Sequence, residues 1–260
     1  MSYVVFARKY RPQTFDELVG QEHVAATLRN ALRSGRVVHA YLFCGPRGVG
    51  KTTMARLLAK SVNCLASPGP DPCGACDACK GIAAGGDIDV LEIDAASNRK
   101  VEEVEPIIDA ARYVPQRSPR KIFIVDEAHM LSTTAFNALL KTLEEPPPHV
   151  LFILATTEPH KIPETVRSRC QRHDFRRIPP SGIVGKLKRI ARSEAVEVEE
   201  EVLQEIARRA TGGLRDAESL FDQALTTAPQ GRPLAARDLV AVLGETPREL
   251  RAAMLKEARD

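Results

Sequence analysis

Residues 45–52, Gly-Pro-Arg-Gly-Val-Gly-Lys-Thr, constrain this chain more than any other stretch. The pattern G-x-x-x-x-G-K-T requires a buried strand before it and a helix after it, because the loop must turn its backbone amides onto an anion. Both are predicted here. Ala40 to Cys44 reads as an apolar strand, and Met54, Leu57, Leu58 and Ser61 recur at helical spacing. In that setting Gly45, Pro46, Arg47, Gly48, Val49 and Gly50 form a phosphate cradle. Lys51 reaches the β and γ phosphates, the Thr52 hydroxyl can ligate Mg²⁺, and Thr53 falls within the same nucleotide site. A glycine-rich turn that holds no ligand is the bland alternative.

A second run gives this cradle a catalytic partner. Ile122 to Glu127 is an apolar strand ending in two acids, the arrangement that holds a metal at the carboxyl edge of a parallel sheet. Asp126 would face the Mg²⁺. Glu127 would orient and polarise the attacking water, which favours hydrolysis over kinase chemistry. Further strands are expected at Val90 to Asp94, Val150 to Thr156 and near His173 to Arg176. Strands alternating with helical patterns, such as Phe136, Leu139, Leu140 and Leu143, predict an α/β fold: a parallel five-stranded sheet flanked by helices.

Four of the six cysteines, Cys64, Cys73, Cys76 and Cys79, cluster as C-x8-C-x2-C-x2-C, while Cys44 and Cys170 stand alone. The spacing predicts one structural Zn²⁺ held by four thiolates, in a segment whose Pro68-Gly69-Pro70 and Gly74 favour tight turns. A loop of free thiols is the competing reading. No run approaches the roughly 20 apolar residues of a membrane span, and Met1 to Tyr10 lacks a signal-peptide core, so the expectation is a cytoplasmic protein without membrane contact. Lysine and arginine outnumber the acids 37 to 34, a surplus of three that is too small to identify a nucleic-acid binder. Any such contact must come from local placement of charge.

Past Pro179-Pro180 the strand signals stop. Three amphipathic helices are expected at 181–195, 199–211 and 214–228, the last with Ala217, Leu220, Phe221, Ala224 and Leu225 on one side. A fourth helical segment begins near Thr246.

At this point the motifs become specific to one group. Asp126-Glu127-Ala128-His129, the run from Ala135 to Pro147, Ala155-Thr156-Thr157 and Ser168-Arg169-Cys170 resemble the AAA+ clamp loaders. Tyr10-Arg11-Pro12, Phe15-Asp16, Val19-Gly20-Gln21 and Gly213-Leu214-Arg215-Asp216 fit the same group. With the cysteine cluster, the chain is similar over nearly its whole length to the gamma/tau family of bacterial DNA polymerase III subunits. The resemblance implies an AAA+ P-loop NTPase domain over 1–179 with a zinc-binding insertion at about 64–79, a helical lid over 180–242 with ATP between the two, and the start of a collar at 243–260. It implies an ATPase that uses ATP and Mg²⁺ to load a sliding clamp onto primed DNA during replication. Its partners would be the other subunits of a hetero-pentameric loader, the clamp, primer-template DNA and, in longer forms, polymerase core and helicase. By family position Val19-Gly20 would flank the adenine, Thr157 with Thr156 beside it would be the sensor next to the acidic strand, and Arg215 would be the lid's sensor. Arg169 would act in trans on a neighbouring subunit's ATP.

DNA would be gripped through its backbone by the hydroxyls of Ser132 and Thr133 at a helix start, with Arg99, Lys100 and Lys161 as basic contacts. Competing readings are a loader subunit that has lost hydrolysis, another AAA+ motor such as a Holliday-junction helicase, and a non-enzymatic zinc module binding nucleic acid. Retention of Lys51 and Thr52 speaks against the first, and the four-cysteine insertion against the second. ATPase activity separates the third. The only acidic pair that can be placed belongs to the ATP site, so no polymerase chemistry is expected.

Overall fold

The computed structural model describes residues 3–97, 101–226 and 232–239. Arg99, Lys100 and the segment 243–260 lie outside the described residues. In chain order the elements are α1 (Phe6–Lys9), α2 (Glu22–Arg33), β1 (Ala40–Cys44), α3 (Lys51–Asn63), α4 (Asp77–Ala84), β2 (Val90–Asp94) and α5 (Val101–Ala111). They continue with β3 (Lys121–Asp126), α6 (Thr133–Glu144), β4 (Val150–Thr156), α7 (Glu164–Arg167), β5 (Gln171–Asp174), α8 (Pro180–Ser193), α9 (Glu200–Arg209) and α10 (Leu214–Thr226).

The strands form one five-stranded sheet, ordered β2-β3-β4-β1-β5. Every pairing is parallel, with Ala40 opposite Phe152, Ile122 opposite Leu151 and Asp94 opposite Asp126. Successive side chains of a strand point to opposite faces, so β1 divides cleanly: Tyr41 and Phe43 enter one apolar cluster, Ala40, Leu42 and Cys44 the other. The first cluster packs the sheet against α2 and α3, through Leu28, Met54 and Leu58, and the second against α5 and α6, through Ile107, Phe136 and Leu139. All residues of β1 and β4 are buried, as expected of central strands covered on both faces.

The fifth strand lies two residues earlier than the His173 to Arg176 expected from sequence. Gln171–Asp174 is an edge strand of four polar residues with only His173 buried, so side-chain pattern gave no signal for it. Pairing defines it instead: Tyr41 stands opposite Gln171 and Cys44 opposite Asp174.

By contacts the chain divides into two compact units, Pro12–Arg176 and the combination of Met1–Arg11 with Arg177–Asp260. The sequence expectation ran the first domain from residue 1 to 179. In the structure the N-terminal segment packs with the helices instead: Phe6 meets Phe221 of α10, the Phe6 amide donates to Asp222 Oδ2 at 3.2 Å, and the Tyr3 hydroxyl donates to the same carboxylate. Lys186 of α8 closes the set by donating to the Tyr10 carbonyl at 2.9 Å. Among the described residues, no helix is long and apolar enough to cross a membrane.

Candidate nucleotide and metal sites

The loop after β1 is built for close backbone approach. Gly45 has φ of 152°, and a Cβ there would lie 2.5 Å from the Phe175 carbonyl oxygen, so only glycine fits. Gly50 at φ of 102° hands the chain into α3, whose first residue is Lys51. The Lys51 ammonium folds back onto the carbonyl oxygens of Gly45 and Pro46, each 2.8 Å away. Burial pulls its pKa down, and the acids Glu127 and Asp126 act against that. A buried cation solvated by its own loop is held where an anion would meet it.

The parallel sheet carries the acids to the same edge. Asp126 ends β3, and its Oδ2 accepts from the Thr52 hydroxyl at 2.6 Å. These two oxygens meet across 74 residues of sequence. An oxygen pair of this kind suits Mg²⁺, a hard cation that takes hydroxyl and carboxylate donors alongside substrate phosphate. Next in the chain, Glu127 has a left-handed backbone with φ of 47°. Its Oε2 accepts from the Thr157 hydroxyl at 3.0 Å, just beyond the end of β4. Thr156 is fully buried and contacts His129. Lys51, Thr52, Asp126, Glu127, Thr156 and Thr157 thus converge at one edge of the sheet.

The remaining expected site residues are more dispersed. Val19 and Gly20 precede α2, and the Gly20 amide donates to Glu22. Ser132 caps α6, its hydroxyl accepting from the Ala135 amide at 3.1 Å, with Thr133 the first helical residue. Lys161 is paired with Glu158 at 2.8 Å. Arg169 donates to the Thr165 carbonyl and to Glu144 Oε1, both at 2.6 Å. Arg215 is exposed in the first turn of α10, within the helical unit.

Cys64, the C-cap residue of α3, joins Cys73, Cys76 and Cys79 in one cluster whose sulfurs lie within 4.8 Å of one another. Backbone amides aim at the sulfurs: Ser67 and Cys73 at Cys64, Ala75 and Cys76 at Cys73. Amide donors of this kind favour thiolate over thiol. At Cys76 burial opposes charging, but the Cys79 and Leu65 amides outweigh it and bring the thiol down to about 6. Four sulfurs at this separation fit a closed tetrahedral zinc site. Cys170 differs, for burial pushes it up to about 12.

Sequence reasoning placed His129 only inside a motif and passed over Glu158. The structure places both beside Thr156. His129 Nδ1 lies 3.1 Å from Thr156 Oγ1, and Nε2 lies 3.2 Å from Glu158 Oε1. The Asp-Glu-Ala-His order carries the signal for His129, three residues past Asp126 and two past Glu127. Glu158 has no local signal beyond its place after the sensor threonines.

Comparison with known proteins finds DNA polymerase III subunits. The family described as "DNA polymerase III, delta subunit" matches residues 20–179, and that described as "DNA polymerase III clamp loader subunit, ATPase lid domain" matches 182–230. The tau subunit of DNA polymerase III from Bacillus subtilis is 53% identical over 94% of this chain and 43% of its own length. The Escherichia coli tau subunit is 52% identical over 87% of this chain and 35% of its own. The chain therefore spans less than half the length of these relatives. Among solved structures, a variant of Thermotoga maritima RuvB aligns with a TM-score of 0.67 at 21% identity, over 90% of this chain and 72% of that one. The RuvB Holliday junction branch migration motor from the same organism aligns at 0.62 with 22% identity, over 95% and 72%. Likeness at that identity speaks for the AAA+ fold alone. With a family match over more than half its residues and close relatives of one kind, the chain belongs to the gamma/tau family of bacterial DNA polymerase III clamp-loader subunits.

Proposed function

We propose that this chain is the ATP-hydrolysing motor of a clamp-loader subunit, which spends ATP to place a sliding clamp on primed DNA in the cytoplasm. The observation that carries the reading is the meeting of Thr52 with Asp126 at 2.6 Å, beside Lys51 and Glu127. Loop amides and Lys51 would bind the phosphates, with Val19 and Gly20 flanking the adenine. Mg²⁺ held by Thr52 and Asp126 would offset charge on the transferred phosphoryl group. Glu127 would orient the attacking water, and Thr157, already bonded to Glu127, would report the γ-phosphate to it. Arg215 would sense the phosphates from the lid.

Arg169 would act on the neighbouring subunit's ATP, neutralising developing charge in trans, an effect that reaches about 10³-fold for arginine fingers. Its bonds to Glu144 and the Thr165 carbonyl would park it on its own surface until a neighbour docks. The cysteine cluster would hold one zinc ion as a structural centre. Ser132, Thr133 and Lys161, with Arg99 and Lys100, would contact the DNA backbone without reading sequence. The other loader subunits, the clamp, polymerase core and helicase complete the set of partners.

The test uses full-length subunits in loaders assembled in known order. Clamp loading on primed DNA should require ATP, and Lys51→Ala should abolish it. In mixed assemblies, hydrolysis should survive only at an intact Lys51 site that faces an intact Arg169. Clamp loading that persists with every Lys51 replaced would overturn the motor reading, and an Arg169→Ala loss confined to its own site would overturn the trans role.

A further inference from the structure

The fully buried side chain of Gln21 is committed to one residue far along the chain. Its Nε2 donates to the Arg176 carbonyl at 2.7 Å, and its Oε1 accepts from the Arg176 amide at 3.1 Å. A carboxamide has one donor edge and one acceptor edge, so it pairs with a residue's N–H and C=O as a neighbouring strand would. Arg176 lies where such a partner is needed. Strand β5 ends at Asp174, opposite Cys44, and the Phe175 amide still donates to the Cys44 carbonyl at 2.7 Å, but Arg176 is past the residues that β1 pairs. Gln21 stands in for the strand that has ended. Two residues on, His23 Nε2 lies 2.9 Å from the Asp174 carbonyl oxygen, so the start of α2 holds the segment 174–176 at two points.

Phe175, between those two points, closes against the phosphate loop. Its ring centre lies 5.2 Å from that of Phe43, and its carbonyl oxygen is the atom that a Cβ on Gly45 would meet at 2.5 Å. A short strut therefore runs from Gln21 through Arg176 and Phe175 to Gly45, all within the unit Pro12–Arg176. At its other end Gln21 is the N-cap residue of α2 and directly follows Val19 and Gly20. Gly20, at φ of 75°, makes the turn there in a conformation that side chains disfavour.

We propose that Gln21 is a positioning residue for nucleotide binding, which fixes the span between the base-flanking turn at Val19 and Gly20 and the phosphate loop at Gly45. This rests on the motor reading above and deepens it, since it names what sets the separation of the two subsites. A nucleoside triphosphate must satisfy both ends at once, so a turn left free to shift lowers its affinity through lost preorganisation. Inorganic tripolyphosphate engages the loop alone and is indifferent to the span. A residue that merely held the fold together would affect both ligands alike.

The experiment measures equilibrium binding of ATP and of inorganic tripolyphosphate, each with Mg²⁺, to full-length wild-type and Gln21→Met subunits by calorimetry well below the melting transition. Methionine keeps the length of the arm and removes both bonds to Arg176. Gln21→Met should bind ATP about tenfold or more weakly and tripolyphosphate within about twofold of wild type, and in assembled loaders with primed DNA its KM for ATP should rise by more than its kcat falls. Gln21→Glu keeps the acceptor for the Arg176 amide and loses the donor to its carbonyl. It should show the same selective loss, and it decides the question if Gln21→Met does not fold. Equal weakening of both ligands, or ATP affinity within about twofold of wild type in a folded variant, would overturn the proposal and leave the motor reading intact. Wild-type subunits that bind ATP no more tightly than tripolyphosphate would sink the base-flanking reading itself, and the proposal with it.

Discussion

Glu127 occupies a left-handed backbone position that a non-glycine residue takes at a cost of about 1–3 kcal/mol. That strain sits at the one place where two adjacent acids must serve different partners, Asp126 toward Thr52 and Glu127 toward Thr157. The chemical types at 51, 52, 126 and 127 were legible in the sequence, because a phosphate loop and an acidic strand end have few other uses in combination. The backbone turn and the bonding of His129 and Glu158 were not, for both depend on the β3 and β4 ends lying side by side. Glu218 is another residue whose surroundings only folding supplies. It is buried on α10 with Oε1 lacking a hydrogen-bond partner, and burial raises its pKa from 4.5 to about 7 against the pull of Lys186 and Arg11. Sign follows from proton counts: between those values the folded state holds a proton that the unfolded state has released. Glu218 therefore favours folding fully only below about pH 4.5, and its contribution falls as pH rises until about pH 7. In urea titrations, Glu218→Gln should be more stable than wild type at pH 8 and nearly equal at pH 4.5. A difference of the same size at both pH values would contradict this account.

At the scale of elements, α3 links two sites: Lys51 opens it and Cys64 caps its end. The four-cysteine segment has few apolar residues of its own, so a bound metal would be expected to hold it together. Protein purified without added zinc should carry about one equivalent per chain, and replacing Cys73 and Cys76 with serine should remove it. A metal-free protein with four reactive thiols would oppose the assignment. On α6 the Ser132 cap satisfies the Ala135 amide, and Ser132→Ala should cost about 1 kcal/mol in urea unfolding. Since that hydroxyl is already accepting one bond, it can still donate its hydrogen to a phosphate. Central strands were legible because β1, β3 and β4 are short apolar runs, whereas β5 has four polar residues and is defined by pairing alone. The helix α4 was also hidden, since its eight residues include one of the clustered cysteines and a glycine, which blur the apolar period.

For the whole molecule, the alternation of strands and helices followed by helices alone announced the architecture, and sheet order β2-β3-β4-β1-β5 adds what no local pattern can give. That order puts the ends of β1, β3 and β4 side by side, which is why residues far apart in sequence meet at one edge. The membership of Phe6 and Tyr10 in the helical unit was illegible for the same reason, as it depends on Asp222, Phe221 and Glu194, far along the chain. The central claim is that this edge hydrolyses ATP with Glu127 directing the water. Its most direct measurement is single-turnover phosphate release from full-length subunits in assembled loaders with primed DNA, comparing wild type with Glu127→Gln in parallel with ATP binding. The account predicts unchanged ATP affinity and a rate lowered by about 10²-fold or more, the scale of a lost general base. Phosphate release at the wild-type rate from Glu127→Gln would contradict it.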